Sequence, residues 1–83
     1  MGTIESITKI CNEFKQRRFG IEEFQSRLQT LVIQNTIKPD LEKVLYHIDN
    51  RLEEIRFCSL QSNYYLYGIE VADFLLEYVK DLK

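Results

Sequence analysis

Apolar residues recur every three or four positions along most of the chain, which is the spacing of one face of an α-helix. This periodicity lapses near Gly20, at residues 35–36 and at residues 58–62. The pattern therefore predicts four helices, at about residues 3–17, 20–35, 38–57 and 62–82. Helices of this length joined by short links pack side by side, so we expect an all-α fold, an antiparallel up-and-down four-helix bundle in a single domain.

The first two predicted helices each have one apolar face and a recognisable boundary. Thr3 is a good N-cap residue for the first helix, and Gly20 would allow a left-handed turn after it. The faces expected to point inward are Ile4, Ile7, Cys11 and Phe14 in the first helix, and Ile21, Phe24, Leu28, Leu31 and Val32 in the second.

The third predicted helix has the clearest pattern in the chain. Pro39 suits its first turn, where a missing N–H costs nothing, and Ser59 or Ser62 would cap the helix that follows. Its inward arc is compact and consists of Leu41, Val44, Leu45, Ile48, Leu52 and Ile55.

A second stripe of the third helix lies outside that apolar arc. Its members are spaced by four, three, four and four residues, and they are Glu42, Tyr46, Asp49, Glu53 and Phe57. Since the inward arc already supplies a core face, the two aromatic rings have no evident core to enter. Aromatic side chains among carboxylates are typical of a surface that binds a basic partner, although a solvated helix face is the plain alternative.

The fourth predicted helix is apolar over an unusually wide arc. An ordinary core face would need only Tyr65, Ile69, Ala72, Leu75, Leu76 and Val79. A further stripe contains Tyr64, Tyr67, Val71, Phe74 and Tyr78. This stripe either adds to the core of a central helix or binds a partner, including a second copy of the chain. Gly68 at mid-helix would allow a close helix crossing.

Charge is distributed unevenly, although the net charge of the 83 residues is only −2. Residues 1–39 contain six Lys/Arg and four Asp/Glu, whereas residues 40–83 contain five and nine. The acidic second half argues against a nucleic-acid ligand and permits a basic protein partner. The basic residues Lys15, Arg17 and Arg18, continued by Arg27, are few for a phosphate-binding surface, and three of them sit at a helix end where cations are favoured.

No catalytic or metal-binding motif is evident, so we expect neither an enzyme nor a cofactor. His47 is the single histidine and lacks the nearby glycine of a phosphotransfer site. Cys11 and Cys58 have no C-x-x-C or histidine context and are expected to be reduced and mostly packed. No apolar run has the length of a membrane span, and no signal peptide is evident, so a cytosolic location is expected.

The segment Phe14–Leu28 resembles a helical hairpin that recurs in small bacterial immunity proteins, with a basic glycine-containing turn followed by the pair Glu23-Phe24. The resemblance is to the colicin D-type immunity group and to helical immunity proteins of contact-dependent growth inhibition. The segments Leu52–Phe57 and Gly68–Leu76 are also similar to such proteins. This resemblance implies a cytosolic helical bundle that binds a cognate toxin, often an RNase, and covers its positively charged active site.

The sequence thus yields two hypotheses. In the first, the chain is an immunity protein that neutralises a toxin, with the carboxylates of Glu42, Asp49 and Glu53 facing a basic cleft. The contact area would then come from Tyr46, Phe57, Tyr67, Phe74 and Tyr78. In the second, the chain is a homodimeric helical adaptor in which the aromatic residues of the fourth helix bury against a second copy.

Overall fold

The computed structural model describes residues 2–82 and contains four α-helices within that range. They are α1 (Thr3–Lys15), α2 (Ile21–Gln34), α3 (Pro39–Cys58) and α4 (Tyr64–Lys80), with a short 3₁₀ turn at Gln61–Asn63. Each helix packs against the next one in the chain, and α1 also packs against α4, which closes the bundle. The predicted all-α four-helix bundle is confirmed. None of the helices within residues 2–82 has the length and hydropathy that crossing a membrane requires.

Both ends of α1 differ from the prediction. Gly2, not Thr3, is the N-cap of α1, and Gly20 precedes α2 with an ordinary φ of −85°. The left-handed residue is Arg17, with φ of 61°. The Arg17 and Arg18 amides donate to the carbonyls of Phe14 and Glu13 at 2.9 and 3.1 Å. This is the Schellman arrangement, in which the left-handed residue directly follows the C-cap of the helix. The chain therefore reverses direction at Arg17, before it reaches Gly20.

The ends of α3 were predicted more closely than the start of α4. Pro39 occupies the first turn of α3 as expected, and Ser59 follows its last residue. Neither Ser59 nor Ser62 caps α4, because the 3₁₀ turn leads straight into that helix and Asn63 is its N-cap. The Tyr64 hydroxyl donates to the carbonyl of Arg56, which ties the start of α4 to the end of α3.

The core is centred on the ring of Phe14, which is fully buried. This ring stacks on Phe24 with centroids 4.4 Å apart and lies 5.5 Å from the Tyr65 ring in a tilted arrangement. Gly68 of α4 faces it so closely that an added Cβ would lie 2.5 Å from Phe14 Cζ. Gly68 therefore makes room for the aromatic ring of α1, which fills the space that a side chain at this position would take.

The wide apolar arc of α4 is explained by its position in the bundle. Its buried centre consists of Gly68, Val71, Ala72, Leu75 and Val79. Val71 therefore belongs to the core rather than to an additional surface stripe. The half-buried residues on either side pack against this core, and they are Tyr64, Tyr65, Tyr67, Ile69, Leu76 and Tyr78.

The two cysteines are free, but only one of them is packed. Cys11 is fully buried, and burial raises the pKa of its thiol from 9.0 to about 12. Cys58 is exposed, so the expectation that both thiols are mostly packed was wrong for this residue.

We expect iodoacetamide at mildly alkaline pH to modify Cys58 and to spare Cys11, because the reactive thiolate at Cys11 is both rare and enclosed. Mass spectrometry of digested protein checks this. The control is labelling in urea, where both cysteines should react. Equal labelling of Cys11 and Cys58 in the folded protein would contradict the prediction.

Candidate interaction surface on helices α2 and α3

The stripe predicted on α3 lies mostly at the surface. Glu42, Tyr46, Glu53 and Phe57 are exposed, and the side chains of Tyr46 and Phe57 keep 65% and 74% of their accessible area. The inward arc of α3 is occupied as predicted, with Val44 alone among its members half-buried. The two aromatic rings are therefore not needed to complete the core.

A groove of about 530 Å³ runs between α2 and α3 beside Tyr46. Its floor includes Leu28 and Leu45, which are core residues only 4% exposed. Val32, Ile33 and Tyr46 form its apolar walls, and Ile33 is 83% exposed. The polar residues at its margin are Gln29, Glu42, Lys43, His47 and Asp49. The groove thus gives access from solvent to an apolar surface that is continuous with the core.

Asp49 differs from the other acidic residues of the stripe because it joins α3 to α2. Its carboxylate oxygen Oδ1 accepts hydrogen bonds from Gln25 Nε2 at 3.0 Å and from Gln29 Nε2 at 2.8 Å. Gln25 Nε2 lies 3.3 Å from the Asp49 carbonyl oxygen, to which it also donates, and Arg56 Nη1 donates to Gln25 Oε1 at 2.7 Å. These bonds fix the position of one carboxylate at the margin of the groove.

Gln25 is not among the site residues predicted from the sequence, although it is the one buried polar side chain within residues 2–82. It adjoins Phe24 at the edge of the apolar face of α2, a place where a glutamine is ordinarily solvated. Its hydrogen-bond partners lie 24 and 31 residues away along the chain. No local pattern signals such a partnership, because buried amides are stabilised by groups that only the packing brings near.

The three site residues predicted on α4 do not line this groove. Tyr67 and Tyr78 are half-buried and pack against the core, and Tyr78 also lines a separate cavity at the end of the bundle with Ile4 and Leu41. Phe74 is exposed, at 58% of its area. The groove therefore brings together Glu42, Tyr46 and Asp49, while Glu53 and Phe57 continue the stripe along α3.

The basic residues near the first turn are occupied within the bundle. Lys15 Nζ lies 2.5 Å from Asp73 Oδ1, and the Arg17 guanidinium lies 3.9 Å from the centroid of the Tyr65 ring. Arg27 pairs with Glu23 at 3.0 Å. Each of these three cations therefore contacts an acidic or aromatic side chain of its own chain.

His47 lines the groove, with its ring centroid 6.3 Å from that of Tyr46. Among the described residues, no three His, Cys, Asp or Glu side chains are grouped so that they could hold a metal ion.

Comparison of the chain with protein-family models, with curated proteins and with solved structures found no match.

Proposed function

We propose that this chain is an immunity protein that binds a basic bacterial toxin, a nuclease in particular, and neutralises it in a stoichiometric complex. The observation that supports this function is the exposed ring of Tyr46, which stands beside an apolar groove and next to Glu42. Tyrosine is enriched among the residues that contribute most to the affinity of protein interfaces. The acidic second half of the chain and the resemblance of its first hairpin to immunity proteins agree with such a partner.

The charges of α3 suit a partner whose active site binds phosphates. Glu42, Asp49 and Glu53 follow one another at spacings of seven and four residues, which places them on one side of the helix. A nuclease active site carries positive charge, so these carboxylates would attract it over a distance of about 8–10 Å at physiological salt. Attraction of this kind raises the association rate, which matters for a protein that must act before the toxin does.

The alternative function, a homodimeric adaptor, receives less support from the burial of α4. Tyr67 and Tyr78 already pack against the core of their own chain, which leaves Phe74 as the exposed aromatic residue of that stripe. Sedimentation at low micromolar concentration distinguishes the two functions, since the adaptor requires a dimer and the immunity protein does not.

Co-expression tests the proposal directly. The chain is produced in bacteria together with the product of the neighbouring gene, which we expect to be a toxin. Growth should stop when that product is made alone and should resume when this chain is made with it. The proposal fails if the product is not toxic, or if cells still die although both proteins accumulate. Purification of a one-to-one complex would show that neutralisation occurs by binding.

A further inference from the structure

We infer that the groove between α2 and α3 receives a helical segment of the partner, which inserts an aliphatic or aromatic side chain flanked by Lys or Arg. This inference rests on the proposed function, because it specifies how the partner is recognised. It also assigns binding to Val32 and Ile33 of α2, which belong to neither of the stripes predicted from the sequence.

The apolar walls of the groove indicate the first part of this chemistry. Ile33 is the most exposed of the large apolar side chains in residues 2–82, and it stands in the last turn of α2. Across the groove is Tyr46, and the core residues Leu28 and Leu45 lie at its floor. A side chain inserted here would contact the apolar atoms of these lining residues and would cover part of Ile33 from water.

The shape of the groove favours a helix over other segments. Its two sides are rows of side chains on neighbouring helices, with Leu28 and Val32 four residues apart on α2 and Glu42, Tyr46 and Asp49 on α3. Such a pair of rows is the surface onto which a further helix packs in helical proteins. A partner helix would present its own apolar residues at spacings of three and four, as helices bound in grooves do.

The charges at the margin specify the residues that flank the inserted side chain. Glu42 and Asp49 line the groove, Glu53 lies one turn beyond Asp49, and Lys43 is the one Lys or Arg among the lining residues. A partner helix with Lys or Arg beside its apolar residues therefore meets complementary charge. A second copy of this chain fits less well, because its basic turn is engaged through Lys15 with Asp73 and through Arg17 with Tyr65.

A synthetic peptide tests the groove without the toxin. The probe is a peptide of about 20 residues, long enough to form a helix in water, with leucines spaced by three and four and lysines beside them. Its control has glutamate in place of each lysine. Binding to the full chain is followed by NMR, and the lysine peptide is expected to shift the signals of Val32, Ile33 and Tyr46. Ile33→Ala should weaken binding about tenfold. The matched control is Leu66→Ala on α4, where the leucine is 60% exposed, and it should leave binding unchanged.

The outcomes separate this inference from the proposed function. The inference is overturned if the lysine peptide does not bind, if the glutamate peptide binds equally well, or if Ile33→Ala and Leu66→Ala behave alike. It is also overturned if the groove signals shift on concentrating the chain alone, because a second copy is then the occupant. If the Ile33→Ala chain neutralises the toxin and binds it as tightly as the wild-type chain does, the proposed function stands. The groove is then not the binding site.

Discussion

Replacing Phe14 with alanine is expected to lower the free energy of unfolding by about 3–5 kcal/mol. The Phe14 ring is fully buried and contacts Phe24 and Tyr65, so its removal leaves a cavity beside these two aromatic side chains and Gly68. A small domain has a total stability of about 5–15 kcal/mol, which means that this variant loses a large part of it. Urea unfolding followed by far-UV circular dichroism measures the change.

The matched control for this variant is Phe57→Ala, because Phe57 is 74% exposed and its truncation should cost less than about 0.5 kcal/mol. Gly68→Ala probes the same site from α4. Its Cβ would meet the Phe14 ring at 2.5 and 2.8 Å, and overpacking of this kind costs about 1–3 kcal/mol. The added alanine should be tolerated better when Phe14 is shortened to leucine. The account of the core is wrong if Phe14→Ala costs no more than Phe57→Ala, or if Gly68→Ala is neutral in the wild-type background.

Replacing Tyr46 with alanine is expected to weaken the complex with the toxin about thirtyfold, which corresponds to about 2 kcal/mol. The ring is 65% exposed in the free protein and forms one wall of the groove, so a bound partner would cover it. For the same reason the unfolding free energy should change by less than about 0.5 kcal/mol. Surface plasmon resonance with immobilised toxin gives the affinity, and most of the loss should appear as faster dissociation.

Two further variants show whether the loss at Tyr46 comes from its position and its ring. Phe74→Ala removes an aromatic ring from α4, and Phe74 is 58% exposed, which is similar to Tyr46. This variant should leave the affinity unchanged if α3 is the binding surface. Tyr46→Phe keeps the ring and should retain most of the affinity. A greater loss with Phe74→Ala than with Tyr46→Ala would move the binding surface to α4. If neither variant changes the affinity, the toxin binds elsewhere on the protein.

The helices and their inward faces could be predicted because a helix is a local structure. Its periodicity places residues three and four apart on one side, and the buried residues of α1 and α3 follow this rule. The predicted and observed ends of the helices differ by two residues at most. The turn between α1 and α2 was harder, since Arg17 adopts a left-handed conformation that a sequence assigns first to glycine.

The candidate site was only partly predictable, because some of its features depend on residues that are far apart in the sequence. The exposure of Tyr46 followed from α3 alone, because the other face of that helix suffices for the core. The wide apolar arc of α4 left Val71 and Phe74 equivalent on the sequence, and only packing separated a buried residue from an exposed one. The groove between α2 and α3 also depends on which helices become neighbours.

The sequence by itself determined where the helices lie, which sides of α1, α2 and α3 are apolar, and that the second half of the chain is acidic. These properties depend on residues close together in the chain. The tertiary structure alone decided that Gly68 meets Phe14, that Gln25 is buried against Asp49, and that Ile33 and Tyr46 line the same groove. Each of these pairs joins different helices, and the distance between such residues is set by the packing of the whole bundle rather than by any local pattern.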